Sequence, residues 1–121
     1  MNSTELLKGT LTTIILKLLS DNGEMYGYEI TQKVKELSEN KILIKEGSLY
    51  PALHKLLKDG LVKVETINVG KRIRKYYSIT QQGQEKKQAQ YKELQDFLNT
   101  IQLIIFPQHK VSMNRCFQMN K

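Results

Sequence analysis

The spacing of apolar residues changes at Gly60, and that change constrains the fold more than any other feature of the chain. Before it, over residues 46–59, Leu49, Leu53, Leu56 and Leu57 fall within about 100° of one another at helical spacing, a narrow stripe for one core face. After it, Leu61–Val69 and Arg72–Thr80 are rich in β-branched residues and tyrosine. They are joined around Asn68-Val69-Gly70-Lys71, a hairpin signal with glycine at the turn. Gly60 is expected to close the helix as its C′ residue. Pro51 is tolerable in that helix only near the first turn, where its missing N–H matters little.

Two more helical stripes precede this junction. Leu7, Leu11, Ile14, Ile15 and Leu18 predict a helix through residues 4–20 that stops at the breaker cluster Asp21-Asn22-Gly23. Ile30, Val34 and Leu37 predict the inner face of a second helix over about 27–38, ending at Ser38-Glu39-Asn40. The apolar, β-branched run Lys41-Ile42-Leu43-Ile44-Lys45 predicts a short strand. Beyond the hairpin, Thr80 stands where it can cap a last helix over about 81–105, roughly 37 Å long at 1.5 Å per residue. On the second strand, alternation sets Ile73, Tyr77 and Ile79 toward the core and Arg72, Arg74 and Tyr76 away from it, with Lys75 beyond the core near the tip.

Three helices followed by a hairpin make a mainly α fold, a winged helix-turn-helix: a three-helix core plus a β-hairpin wing, over residues 1–80. Residues 81–106 form a C-terminal helix with two halves. The first, QQGQEKKQAQ, is polar. The second carries Tyr91, Leu94, Leu98, Ile101 and Ile105 at alternating three- and four-residue spacing, widened by Phe97 and Ile104. That is the coiled-coil pattern, sustained for about two heptads. The stripe can pack on the chain's own first helix or on a second copy. A half-helix projecting past a three-helix core has no intramolecular cover, and monomers rarely expose so large an apolar patch. A homodimer is therefore expected. Residues 107–121 form a basic tail without periodicity, expected to be flexible.

Charge narrows the partner. Between Lys41 and Lys87 there are eleven basic and four acidic residues, so this segment carries the whole +7 of the chain and the remainder sums to zero. An excess so concentrated points to an anionic partner rather than to general solubilisation. The outward face of the third helix offers Ser48, Pro51, His54, Lys55 and Lys58, flanked by Tyr50, with Gly47 in its first turn. Backbone N–H groups, the Ser48 hydroxyl and the positive dipole end suit a phosphate there. Lys55 and Lys58 can reach phosphates or base edges, and Tyr50 and His54 can donate hydrogen bonds at a groove floor. At the hairpin tip, Lys71, Arg72, Arg74 and Lys75 place four positive charges in six residues, with Tyr76 following. A phosphate ladder or a narrow minor groove neutralises such repulsion. The competing reading is a solvated hairpin end whose charges prevent edge pairing. Tyr26 and Tyr28 are equally packing residues of the second helix or further phosphate ligands.

Other classes fit poorly. No apolar run approaches the ~20 residues needed to span a bilayer, so no membrane association is expected. The N-terminus lacks a secretory pattern, and the single cysteine, Cys116, excludes an internal disulfide framework or a multi-cysteine zinc site. A cytoplasmic location is expected. His54 and His109 share no metal-ligand spacing, so neither metal nor other cofactor is expected. There is no glycine-rich phosphate loop, no pair of carboxylates in an apolar setting and no nucleophile with a histidine, so an enzyme is not expected.

Several strings in the chain are distinctive: Met25-Tyr26-Gly27-Tyr28-Glu29-Ile30, Glu46-Gly47-Ser48-Leu49-Tyr50-Pro51-Ala52-Leu53-His54-Lys55-Leu56, Asp59-Gly60-Leu61-Val62, and Gly70-Lys71-Arg72-Ile73-Arg74-Lys75-Tyr76-Tyr77-Ser78-Ile79-Thr80 with Gly83. Together, over about residues 5–105, they resemble the PadR-like transcriptional regulators. The resemblance implies a homodimeric repressor that binds double-stranded DNA at a palindromic operator, paired through the C-terminal helix and often the N-terminal one. The short C-terminal region resembles the compact subgroup with a single dimerisation helix. Some compact members bind planar drugs between tryptophans; this chain has none, and Leu94 falls at that position. Stacking-based sensing is thus not implied, while Tyr91 and Phe97 could still line an apolar pore for a small-molecule effector. Two alternatives stay open: a winged-helix module that binds an acidic protein, and a DNA-binding plasmid-partition or architectural protein.

Overall fold

The computed structural model describes residues 7–107. The expectations for the basic tail, His109 and Cys116 lie outside these residues. Two compact units divide the chain, residues 1–88 and 89–121.

In the first unit the order is α1 (Leu11–Asn22), β1 (Met25–Tyr26), α2 (Gly27–Leu37), α3 (Glu46–Lys58), β2 (Val62–Val69) and β3 (Arg72–Ile79). The last helix, α4 (Gln81–Ile105), starts in this unit, and its residues from Ala89 onward belong to the second. The fold is the expected mainly helical winged helix with a small antiparallel sheet.

Of the expected first helix, Leu7 and Lys8 are helical, and a turn at Gly9 and Thr10, in which the Thr10 N–H and hydroxyl both donate to the Leu7 carbonyl, separates them from α1. It stops at the expected breaker, where Gly23 takes φ +77° and its N–H donates to Leu19. Leu11, Ile15, Leu16, Leu18 and Leu19 are all buried, so α1 is the central helix of the core. α2 contributes Ile30 and Val34. Leu37, expected inside, is 66% exposed; it ends the helix one turn beyond the core.

The expected strand at 41–45 does not form. Glu39 and Asn40 take positive φ, and the Ser38 hydroxyl accepts the Ile42 N–H at 2.9 Å, so the segment leaves α2 as an extended connection without a ladder partner. Its alternation still places Ile44 in the core and Leu43 outside. The third strand of the sheet is instead β1, antiparallel to β3 with Met25 opposite Tyr77 and Tyr26 opposite Tyr76. The strand order is β1-β3-β2, so β3 is central and both its edges are occupied.

α3 buries Leu49, Leu53 and Leu56, with Leu57 packed at the margin. Pro51 is the sixth residue of this helix, in its second turn rather than its first. Its missing N–H leaves the Gly47 carbonyl without the usual partner four residues on, and Gly47 is exposed, so water can satisfy it. The helix ends as a Schellman motif: Leu61 N–H donates to Leu56, Gly60 N–H to Leu57, and Gly60 takes φ +74°.

β2 and β3 pair from Val62 with Ile79 to Val69 with Arg72, leaving Gly70 and Lys71 as a two-residue turn. Glycine at the first position with φ +64° is the pattern of a II′ hairpin. Tyr77 is buried, whereas Ile73, expected on the core face, is 69% exposed. The alternation is real, but the core ends before it reaches Ile73.

Thr80 caps α4 as expected. Its hydroxyl accepts the Gly83 N–H at 3.0 Å and donates to the Gly60 carbonyl at 2.7 Å. Gly83 is buried so tightly that a Cβ there would lie 2.1 Å from the Leu61 carbonyl oxygen. The Ser20 hydroxyl donates to Gln84 and accepts from Lys87, both at 3.0 Å, which ties the first turns of α4 to α1.

Candidate nucleic-acid interface

Amphipathicity fixes what α3 presents. With Leu49, Leu53 and Leu56 inward, Gly47, Pro51, His54, Lys55 and Lys58 are exposed and Ser48 is half-buried. Lys55 lies 3.4 Å from Asp59, one turn on, but both side chains are well exposed, so the pair is weak and leaves the ammonium usable. Tyr50 is less free than its place on the helical wheel suggests. Its phenol lies against the backbone of Gly27, where a Cβ would come within 2.5 Å of the Tyr50 oxygen. Only glycine lets the start of α2 approach α3 this closely. Burial, and next the proximity of Tyr50, push the Tyr77 phenol above its ordinary value, so it stays a neutral donor.

The hairpin has two faces of different chemistry. By register, Tyr77, Lys75 and Ile73 share one face with Val64, Thr66 and Asn68. Tyr76, Arg74 and Arg72 share the other with Glu65, Ile67 and Val69. Lys71, Arg72 and Lys75 are exposed, and Arg74 and Tyr76 half-buried. Arg74 is held in place: its guanidinium lies 4.4 Å from the Tyr26 ring centroid, and Tyr26 meets Tyr76 edge-on at 5.4 Å. Tyr28, 64% exposed, continues the array, stacked on Tyr26 at 6.5 Å. The Tyr26 N–H donates to Glu29, fixing the turn that presents both rings. Sequence reasoning leaves these tyrosines between packing and ligand roles; it has no signal for Tyr26 as the platform under Arg74, because the pairing of β1 with β3 creates it.

Helix and wing meet at one cleft of about 290 Å³, lined by Tyr26, Gly27, Tyr50, Ile73, Arg74, Lys75 and Tyr77. A second, of about 450 Å³, flanks α3 on another side and is lined by Leu7, Lys8, Leu11, Thr12, Gly47, Ser48, Pro51, Ala52 and Lys55. Among the described residues no three histidine, cysteine, aspartate or glutamate side chains gather as metal ligands, and no helix is long and apolar enough to cross a membrane.

In the second unit, α4 keeps its stripe on the surface. Phe97, Leu98, Ile104 and Ile105 are exposed, and Tyr91, Leu94 and Ile101 are half-buried. Leu103 and Phe106, not among the expected residues, are exposed as well.

Residues 15–89, from within α1 to the first turns of α4, match the transcriptional regulator PadR-like family. The chain belongs to this family. A relative in sequence is an uncharacterized protein of Lysinibacillus sphaericus, 33% identical over 105 residues, covering 79% of this chain and 94% of that protein. Among solved structures, a transcriptional regulator from Clostridium thermocellum superposes with a TM-score of 0.79 at 30% identity, covering 84% of this chain and 99% of the other. Bacillus subtilis PadR in complex with operator DNA superposes at 0.62 with 32% identity, over 68% of this chain and 46% of that one. As a PadR-like protein the chain is a transcriptional regulator, a class that is not enzymatic in general.

Proposed function

We propose that this PadR-like chain is a homodimeric repressor that binds double-stranded DNA at a palindromic operator. One observation carries the DNA-binding part: α3 and the cationic wing border a common cleft, with Tyr50 of α3 on one wall and Arg74 and Lys75 of the wing on the other. α3 enters a major groove, where Ser48, His54, Lys55 and Lys58 meet phosphates and base edges and Gly47 and Pro51 allow close approach. The wing enters the adjacent minor groove, where Lys71, Arg72, Arg74 and Lys75 neutralise phosphates. Tyr26, Tyr28 and Tyr76 act through Arg74, setting its position. Bacillus subtilis PadR, whose fold this chain shares, forms a complex with operator DNA, and that supports DNA as the partner.

Two copies pair through Tyr91, Leu94, Phe97, Leu98, Ile101, Ile104 and Ile105 of α4, which supports a twofold operator with half-sites one helical turn apart. Titration of random-sequence duplex at low salt tests the reading. Micromolar non-specific affinity supports it. No duplex binding, with capture of an acidic protein instead, favours the winged-helix interaction module. Footprinting of promoter fragments retained by the protein is expected to show a protected dyad, and deletion of the gene to raise transcription from those promoters.

A further inference from the structure

We propose that Ile73 is itself a DNA contact, an apolar side chain that the wing carries into the minor groove and packs against deoxyribose walls. The inference rests on the DNA-binding reading above and deepens it.

Ile73 is 69% exposed, the most exposed large apolar side chain among the described residues. It does little for the fold: its cross-strand partner is Asn68, and the next residue on its face is Lys75. Yet it does not simply point away from the molecule. It shares its strand face with buried Tyr77 and lines the cleft whose other wall is Tyr50 of α3. Ile73 thus borders the cleft between α3 and the wing together with Arg74 and Lys75, although by register Arg72 and Arg74, its chain neighbours, stand on the opposite face of the strand.

That arrangement matches the chemistry of a minor groove. Its rims are phosphates, which take the four cations of the tip, and its walls are the apolar faces of the sugars. A groove only about 6 Å wide brings both walls within reach of one β-branched side chain on a hairpin. Apolar residues of this kind at minor-groove interfaces widen the groove or part base steps. Ile73 consequently reads groove width and deformability and not base identity. Because it neutralises no phosphate, it adds affinity without adding to the salt dependence.

The test uses the full chain, a fluorescent duplex of random sequence, and titrations at several salt concentrations. Ile73→Thr keeps the β-branch and removes most of the apolar reach. It is expected to bind about tenfold more weakly, as removing one to two buried methylenes implies. Its melting temperature and its slope of log affinity against log salt should equal those of the wild type. Arg72→Ala, run in parallel, is expected to lower that slope by roughly one unit. Wild-type affinity in Ile73→Thr, a changed slope, or a lowered melting temperature each overturns the proposal while leaving DNA binding intact. Failure of the wild-type protein to bind duplex at all refutes the DNA-binding reading, and this inference with it.

Discussion

The Arg74 guanidinium lies over the Tyr26 ring, 4.4 Å from its centroid, so a wing cation is held by a residue more than forty positions earlier in the chain. Tyr76 supports the ring edge-on, and the short β1–β3 ladder puts all three side chains on one sheet face. An arginine held this way gives up less side-chain freedom when it meets a phosphate. A planar guanidinium can stack here and an ammonium cannot in the same way. Tyr26→Leu is therefore expected to weaken duplex binding about two- to fivefold, the scale of an exposed cation–π contact. Fluorescence anisotropy measures the effect, and circular dichroism verifies that the sheet is retained. Equal affinity in the variant would remove Tyr26 from the interface.

Two glycines mark close approaches and should differ in their tolerance of a methyl group. At Gly83 an added Cβ meets the Leu61 carbonyl oxygen at 2.1 Å, a backbone atom that cannot yield without moving the α3–β2 connection. At Gly27 it meets the Tyr50 hydroxyl at 2.5 Å, the far end of a side chain that can swing aside. Gly83→Ala is expected to destabilise the fold by about 1–3 kcal/mol, the usual range for overpacking. Gly27→Ala should destabilise it less but disturb Tyr50 and, through it, DNA binding. Urea midpoints in the reverse order would contradict this.

Much of the fold is legible in the chain. Leu49, Leu53 and Leu56 mark α3, and Gly60 marks its end. Thr80 marks the start of α4, because caps and apolar stripes are local properties. What cannot be read depends on distant partners. Lys41–Lys45 has the composition of a strand, but β-propensity reflects packing beside a neighbour, and β1 already occupies the free edge of β3. β1 spans only Met25–Tyr26, too short for any periodicity to register. Alternation alone puts Ile73 inside, because a period of two carries no information on where the core stops. Of the candidate interface, the cationic tip and the α3 face are visible in sequence; the tyrosine platform is not.

The exposed stripe on α4 predicts the state of association. Leu98 is 50% exposed and Ile101 half-buried within the chain, and the proposed partner copy covers both. Replacing both with aspartate would place charges in that apolar seam, and light scattering should then report monomers. A dimer that survives the double substitution means the copies pair through another surface.

Alkaline pH should weaken the fold through Tyr77. Its phenol is held above the ordinary value of 10.0, first by burial and then by Tyr50, so the folded chain binds that proton more tightly than the unfolded chain. The contribution is complete below the unfolded value and disappears as pH rises through the folded one. Stability measured by urea unfolding should therefore decline above about pH 10. Tyr77→Phe, which cannot ionise, should show a smaller decline over the same interval.

We hold that helix α3 and the cationic wing act together on duplex DNA, and the salt dependence of binding decides it. Affinities of the wild-type chain and of a variant with Lys71, Arg72, Arg74 and Lys75 all changed to alanine would be measured across a salt series on the same duplex. A wing seated on the phosphates predicts a slope that flattens by roughly one unit for each phosphate the variant no longer neutralises. An unchanged slope in the fourfold variant would mean that the wing does not touch the phosphates, and would contradict that claim.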